Sequence, residues 1–552
     1  MTTTVDPALI EEYEKAGWWG RTTLADHVAR HAAARPDAAA YVTTDTRLSW
    51  HDYDRASSAL AGALAGLGLA PGDRVATLLP DGPTVHVSFI AAEKAGLTTV
   101  GVGARAGERE VRHILGRTGA KALVTHARHR GRETADLVHD LRAAGLPLDH
   151  HVVVPDYAAE PEAVPRADGV PVPVASDAAV EALVAARRLG PNDLFMINST
   201  SGTTGLPKCV MHTQNRWFYF HLLAREAGEL SAADVVMSVI PAPFGFGLWT
   251  SHFTPTILGV PAVVTERFDA GAALDLVERE RVSVLCCVST QFMMMLDEQE
   301  RRKRDLSSLR CMFTGGEAVP YHRAAEFEDR TGARVLQFYG SNETGALSYT
   351  SMADDRERRL RTAGRIIPEM RVRLFDAAGA DITGTGRRGR PGCRGPATCL
   401  GYLDDPEANG RLFTEDGWML MADEVEIDDA GYLRVVGRLS DLIIRGGKNI
   451  SAPAVEEEVG THPAVAMAAA VPAPDPTFGE RVCVYVTLRP GHTLTLEDLA
   501  EHLGARGTSK EWFPEHLVVV DSLPRSSGGK VAKARLREDI ARRLSGEGTA
   551  PL

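Results

Sequence analysis

Asp73-Arg74-Val75-Ala76-Thr77-Leu78-Leu79 reads as a strand, and the run over residues 84–95 that follows it reads as a helix. Upstream, the stretch from residue 23 is predicted to supply a strand and then a helix over 50–67. Strand and helix in alternation predict α/β layers. The same alternation resumes with apolar strands at 194–197, 235–240, 262–264, 282–288 and 309–313. Between them, 157–173 is rich in Pro, Ala and Asp and is expected to be an exposed connection. From 371 to 432 the pattern becomes short strands with many Gly, Pro and Asp turns, which predicts a β-rich subdomain. Beyond a boundary at 437–441 come a helix at 453–461, strands at 464–471 and 482–488, and a helix at 496–503. The expected organisation is a large domain over 1–436, a hinge over 437–441 and a small α+β lid over 442–552. No repeat of fixed period is present, and the charged run 298–305 is expected to be a solvated helix end.

A chain of 552 residues has room for several domains, and its 44% apolar content is that of a folded protein. The net charge of -12 argues against a nucleic-acid binder dominated by phosphate contacts. Seven cysteines without a Cys-x-x-Cys pair argue against a disulfide framework or a structural zinc site. Residues 1–20 carry Glu11, Glu12 and Glu14 without an apolar core, so no secretory signal is expected there. The longest apolar run, 464–471, is too short to span a bilayer. The expectation is a cytoplasmic protein.

Chemistry concentrates in five segments. Ser199-Thr200-Ser201-Gly202-Thr203-Thr204-Gly205-Leu206-Pro207-Lys208 combines glycines, hydroxyls and a lysine. Glycines let backbone N–H groups approach phosphate oxygens, and the lysine adds positive charge. The Gly-Lys-Ser/Thr order of a Walker A loop is missing. Tyr339-Gly340-Ser341-Asn342-Glu343-Thr344-Gly345 offers a ring to stack on a base and a carboxylate to hold magnesium. Asp423, in Gly417-Trp418-Met419-Leu420-Met421-Ala422-Asp423, suits a ribose diol, which its two oxygens can bind. Gly437-Arg438-Leu439-Ser440-Asp441 leads into Arg445-Gly446-Gly447-Lys448, and Pro524-Arg525-Ser526-Ser527-Gly528-Gly529-Lys530 lies further on. A lysine on a glycine-rich loop can swing onto developing negative charge. Taken singly, a solvated turn accounts for each of the last three.

The order and spacing of these segments resemble the adenylate-forming superfamily of acyl-CoA synthetases, peptide-synthetase adenylation domains and luciferases, over nearly the whole chain. That resemblance implies ATP, Mg2+ and CoA (or the phosphopantetheine of a carrier protein) as reactants. It implies that Thr200, Ser201, Gly202, Thr203, Thr204, Gly205 and Lys208 cradle phosphates. Gly315, Gly316 and Glu317 would frame the adenine, with Tyr339 and Gly340 beneath it. Asp423 and Arg438 would hold the ribose, and Glu343 the magnesium. Lys530 would bridge the acid's carboxylate and the α-phosphate. Asp441 would be the pivot, and Gly446 and Gly447 would line the CoA channel. Carboxylate and triphosphate repel one another, so cations must neutralise both before attack. Rotation of the lid would then withdraw Lys530 and admit a thiol.

Three positions depart from the family pattern: Cys209 follows the loop lysine where glycine is common, Asn342 stands where threonine is usual, and Met421-Ala422-Asp423 replaces Thr-Gly-Asp. Asn342 can still donate to the α-phosphate. Pro241-Ala242-Pro243-Phe244-Gly245-Phe246-Gly247, with Trp249 beyond, holds no acidic residue to pair an α-ammonium, so an apolar aryl, cyclic or short acyl acid is expected. Phe244, Phe246, Trp249, Cys287 and Gly345 are the pocket candidates; the three aromatics can equally be core. His212 is read as structural, and His150-His151 as a loop pair. The Gly101–Gly107 run lacks the spacing of a dinucleotide loop. The leading expectation is an AMP-forming carboxylate–CoA ligase. A carrier-protein loader, a nitrite-using enzyme that diazotises an aromatic amine, and an ATP-binding sensor stand behind it. No nucleic-acid partner is expected, and monomer and homodimer both stand.

Overall fold

A computed structural model describes residues 5–172, 177–199, 207–384, 388–438, 442–445, 448–526 and 530–546. Arg74–Leu78 is the strand expected at its start, and it pairs in parallel with Thr98–Val102 on one side and Ala122–Thr125 on the other. Helices Pro83–Lys94 and Glu108–Thr118 make the crossovers. Every residue of Pro83–Lys94 is buried, which is why its sequence carries little polar periodicity. Lys94 at its end survives burial by donating to Asp54 Oδ1 at 2.7 Å, Ser58 Oγ at 2.8 Å and Ser57 Oγ at 2.9 Å. His150–Val153 and Met196–Ser199 extend this into an eight-stranded sheet.

A second sheet, of nine strands, places Ala262–Val264, Val236–Ser238, Val284–Cys286, Cys311–Gly315 and Arg334–Ser341 side by side in parallel. These are short apolar runs because both faces are covered. Open parallel sheets bind ligands at the carboxyl ends of their strands, and there lie Ser199, Gly315 and Ser341. The β-rich sheet expected after residue 371 consists of Arg373–Phe375, Arg388–Cys393, Met419–Leu420, Asp423–Ile427 and Leu433–Arg438. The next strand, Leu442–Arg445, belongs instead to the five-stranded sheet of the small domain, built on the long hairpin Val465–Asp475 and Gly479–Leu488. That domain has cores of its own around Val455, Val484 and Leu499, and around Tyr485 and Leu536. The molecule is thus a large N-terminal α/β domain with a small C-terminal one.

Four local expectations are corrected. The stretch from residue 23 begins with a helix, Leu24–Ala34, because Asp26 accepts from the Thr23 backbone N–H at 2.9 Å and starts the turn. His150 and His151 lie in a strand, where buried His151 bonds Thr125 Oγ1 at 2.9 Å. Tyr157, at the head of the expected exposed connection, is 1% exposed. Within 298–305, Arg304 is buried and bridges Asp275 at 2.9 Å and Glu298 at 3.2 Å. No described helix is long and apolar enough to cross a membrane.

All seven cysteines are buried. Burial holds the thiols of Cys209, Cys311, Cys399 and Cys483 up at about 12 and those of Cys286, Cys287 and Cys393 high as well. A colorimetric thiol titration of the native protein should therefore read close to none of the seven, and all seven after guanidinium unfolding. Rapid reaction of a native thiol would contradict this packing.

Candidate active site

Tyr339, 9% exposed near the end of Arg334–Ser341, donates its hydroxyl to Asp423 Oδ2 at 3.0 Å. Asp423 opens the strand Asp423–Ile427 and lies in register with Arg438. An aromatic face, a carboxylate and the backbone position of an arginine therefore share one wall. Beside it, Gly315 ends the strand Cys311–Gly315 opposite Phe338. Gly316 then turns with φ +77, in the left-handed region that favours glycine. A Cβ on Gly316 would stand 2.9 Å from Lys530 Nζ. The lysine of the small domain is thus already over the strand end next to Tyr339's strand. Glu317 lies in the same place and accepts from the Thr290 N–H at 3.2 Å. Burial raises its carboxyl, and the Lys530 ammonium is the foremost charge opposing that rise.

The small domain is seated by contacts on several elements. Arg525 donates to Thr290 Oγ1 at 3.1 Å, the Tyr321 N–H donates to Glu457 at 3.1 Å, and Arg489 faces Asp297 at 3.7 Å. Ser451 Oγ donates to the Val436 carbonyl at 2.7 Å across the junction.

Glu343 follows the end of the same strand as Tyr339. Its Oε1 accepts from the Tyr402 hydroxyl at 2.7 Å, and the Tyr402 ring lies under Lys208 Nζ, 4.9 Å from its centroid. Tyr402 thus joins the loop lysine to the carboxylate. Burial, and then Glu343, keep its phenol protonated. Oε2 of Glu343 makes no hydrogen bond among the described residues, and a hard carboxylate oxygen suits magnesium.

Asn342 turns its amide to Asn198 rather than outward: Nδ2 donates to Asn198 Oδ1 at 2.7 Å and Oδ1 accepts from Asn198 Nδ2 at 3.3 Å. A Cβ on Gly245 would come 2.8 Å from Asn342 Oδ1 and 3.1 Å from Trp217, so glycine there lets the loop close on the asparagine. Phe244 and Phe246 are half-buried, and Phe246 stacks on Trp249 at 5.5 Å and 13°. Trp249 itself is core, 3% exposed among Phe220, Phe313 and Phe338. Cys287 directly follows the strand Val284–Cys286. Cys286 packs in the cluster containing Trp249 and Phe313, whereas Cys287 packs in the one containing Met312, with its Sγ 3.4 Å from the Met312 sulfur. Gly345 lies in register with Ser341 across the hairpin that carries Glu343, and Gly340 with Ala346. Thr200, Ser201, Gly202, Thr203, Thr204, Gly205, Asp441, Gly446 and Gly447 lie outside the described residues.

Three residues of this site carry no motif. Tyr402 is one. Asp81 is another: it accepts from the Ala242 N–H at 2.7 Å, so a carboxyl does reach the Pro241–Gly247 loop, from a distant segment, and burial pushes it up to about 6. The third is Arg216, buried behind Asn342 and Glu343.

The AMP-binding enzyme family matches residues 28–403, and the AMP-binding enzyme C-terminal domain matches 454–530. The chain belongs to the AMP-binding enzymes, the adenylate-forming superfamily. It is 32% identical over 549 residues to the medium-chain fatty-acid–CoA ligase of Escherichia coli (strain K12), covering 97% of this chain and 93% of that one. It is 32% identical to the 2-hydroxy-7-methoxy-5-methyl-1-naphthoate–CoA ligase of Streptomyces carzinostaticus, covering 96% and 95%. The crystal structure of the anthranilate CoA ligase AuaEII with anthranoyl-AMP superposes with a TM-score of 0.82 at 21% identity, covering 95% of this chain and 98% of that one. This AMP-binding enzyme is accordingly an AMP-forming ligase that activates carboxylic acids with ATP.

Proposed function

We propose that this enzyme converts an apolar aryl, cyclic or short acyl acid to its acyl-adenylate and transfers the acyl group to CoA. The observation that carries the proposal is Lys530 Nζ against Gly316, beside the Tyr339–Asp423 wall. In this reading Tyr339 lies under the adenine, and Asp423 with Arg438 holds the ribose. Lys208 meets the terminal phosphates, and Glu343 would hold a magnesium ion that, when bound, supplies charge screening for the triphosphate. Lys530 pairs with the incoming carboxylate and the α-phosphate together, removing the repulsion that otherwise keeps two anions apart. A carboxylate oxygen attacks the α-phosphorus, the bridging bond to the β-phosphate breaks, and pyrophosphate leaves. Residues 437–441, with Asp441 as pivot, then let the 442–552 domain carry Lys530 away and bring Gly446 and Gly447 to the thiol.

The half-buried Phe244 and Phe246 support an apolar acid, and the relatives named as fatty-acid and naphthoate CoA ligases point the same way. ATP–pyrophosphate exchange across aryl, aminoaryl, cyclic and short aliphatic acids tests the first step. Mass spectrometry of the product with free CoA, with a phosphopantetheinylated carrier protein, or with nitrite and an aminoaryl acid then tests the acceptor. A thioester that depends on free CoA supports the proposal. A product formed only with a carrier protein, or a diazotised amine, refutes the CoA step, and an absence of AMP with every acid refutes the whole.

A further inference from the structure

Behind the site runs an unbroken line of buried polar groups. Arg216 is 1% exposed and has no carboxylate partner among the described residues. Its guanidinium instead donates to three carbonyls: Ala397 at 2.8 Å, Asn342 at 2.9 Å and Glu343 at 3.3 Å. A further N–H of the same group meets His212 Nδ1. A guanidinium only donates, so Nδ1 accepts, and the proton of a neutral imidazole must sit on Nε2. Nε2–H then donates to Asn198 Oδ1 at 2.7 Å. Asn198 Nδ2 in turn donates to the Pro243 carbonyl at 2.8 Å, which fixes the orientation of the amide and leaves its oxygen for His212 and Asn342. Burial, and then Arg216, hold His212 far below its ordinary pKa, in keeping with that tautomer. These charge-assisted bonds offset the cost of burying a cation that has no carboxylate partner among the described residues. A cation held by the carbonyls of the Asn342–Glu343 turn fixes the geometry of that turn.

We propose that Arg216, His212 and Asn198 form a positioning relay that fixes the Glu343 peptide for magnesium and ties it to the acid-binding loop at Pro243. All three are buried, and each acts through a neighbour. Arg216 sets the turn, His212 sets Arg216, and Asn198 joins both to the loop. The inference rests on the reading of Glu343 as the magnesium carboxylate.

The test is calorimetric titration of ATP at stepped Mg2+ concentrations, which needs no acid and no turnover. His212→Leu breaks the relay at its centre, and Asn198→Ala breaks it from the other side should the leucine variant fail to fold. His212→Gln keeps one donor and one acceptor in line. Both broken variants should need about 10- to 100-fold more Mg2+ for half of its tightening effect. Their affinity for Mg2+-free ATP should stay within about threefold of the wild type, and His212→Gln should restore most of the loss. A folded break with the wild-type Mg2+ requirement would overturn the relay, as would an equal loss in Mg2+-free binding or a glutamine no better than leucine. Glu343→Ala is run in parallel. If Mg2+ tightens its ATP binding as in the wild type, the metal reading fails and takes the relay with it; if only the relay variants behave as wild type, the metal reading stands alone.

Discussion

Lys530→Ala is expected to lower ATP–pyrophosphate exchange by about 100- to 1,000-fold, the usual cost of removing one preorganised donor from a developing charge. The loss should fall on the chemical step. Lys530 reaches the site from the small domain and stands at Gly316, whereas the Tyr339–Asp423 wall and Lys208 belong to the large domain and are untouched by the change. ATP affinity should therefore stay within about threefold of the wild type, the pattern of an interaction made in the transition state rather than the ground state. Thioester formation from a supplied acyl-adenylate should also persist, because in the proposed cycle the lysine is withdrawn before that step. Equal loss in both half-reactions would mean that Lys530 holds the lid together rather than assisting adenylation. Glu317 makes that a real alternative, since its carboxyl shares the strand end with the ammonium.

Glu343→Gln is the second large effect. The substitution keeps the shape and an oxygen for the Tyr402 hydroxyl, now 2.7 Å from Glu343 Oε1, but removes the charge that suits magnesium. Charge stabilisation by a metal ion is worth several kcal/mol, so exchange should fall by about 100-fold or more. Extra Mg2+ should recover part of it, because the defect is one of affinity. If Mg2+ at any concentration recovers none, or if exchange is unchanged, Glu343 is not the metal carboxylate. Since Tyr402 bridges Glu343 and Lys208, Tyr402→Phe is expected to resemble a mild form of Glu343→Gln.

What is legible in the sequence follows a physical rule. Strands buried on both faces show as apolar runs, so Arg74–Leu78, Ala262–Val264 and Cys311–Gly315 are legible to within about two residues. Lys208, Glu343, Asp423 and Lys530 lie in glycine-containing segments that point to nucleotide chemistry when taken together. Side chains that act through a neighbour leave no such mark. Tyr402 follows a glycine in an ordinary turn, Arg216 sits in the first turn of the helix Gln214–Gly228, and Asp81 precedes a helix start. Their roles arise only when segments 59, 126 and 161 residues apart meet.

A crystal structure with α,β-methylene-ATP and Mg2+ measures the central claim directly. With the small domain seated as it is here, Lys530 Nζ should lie within about 3.2 Å of an α-phosphate oxygen. A closed lid that leaves the ammonium on Glu317, with the α-phosphate beyond reach of any Lys530 rotamer, would contradict the account.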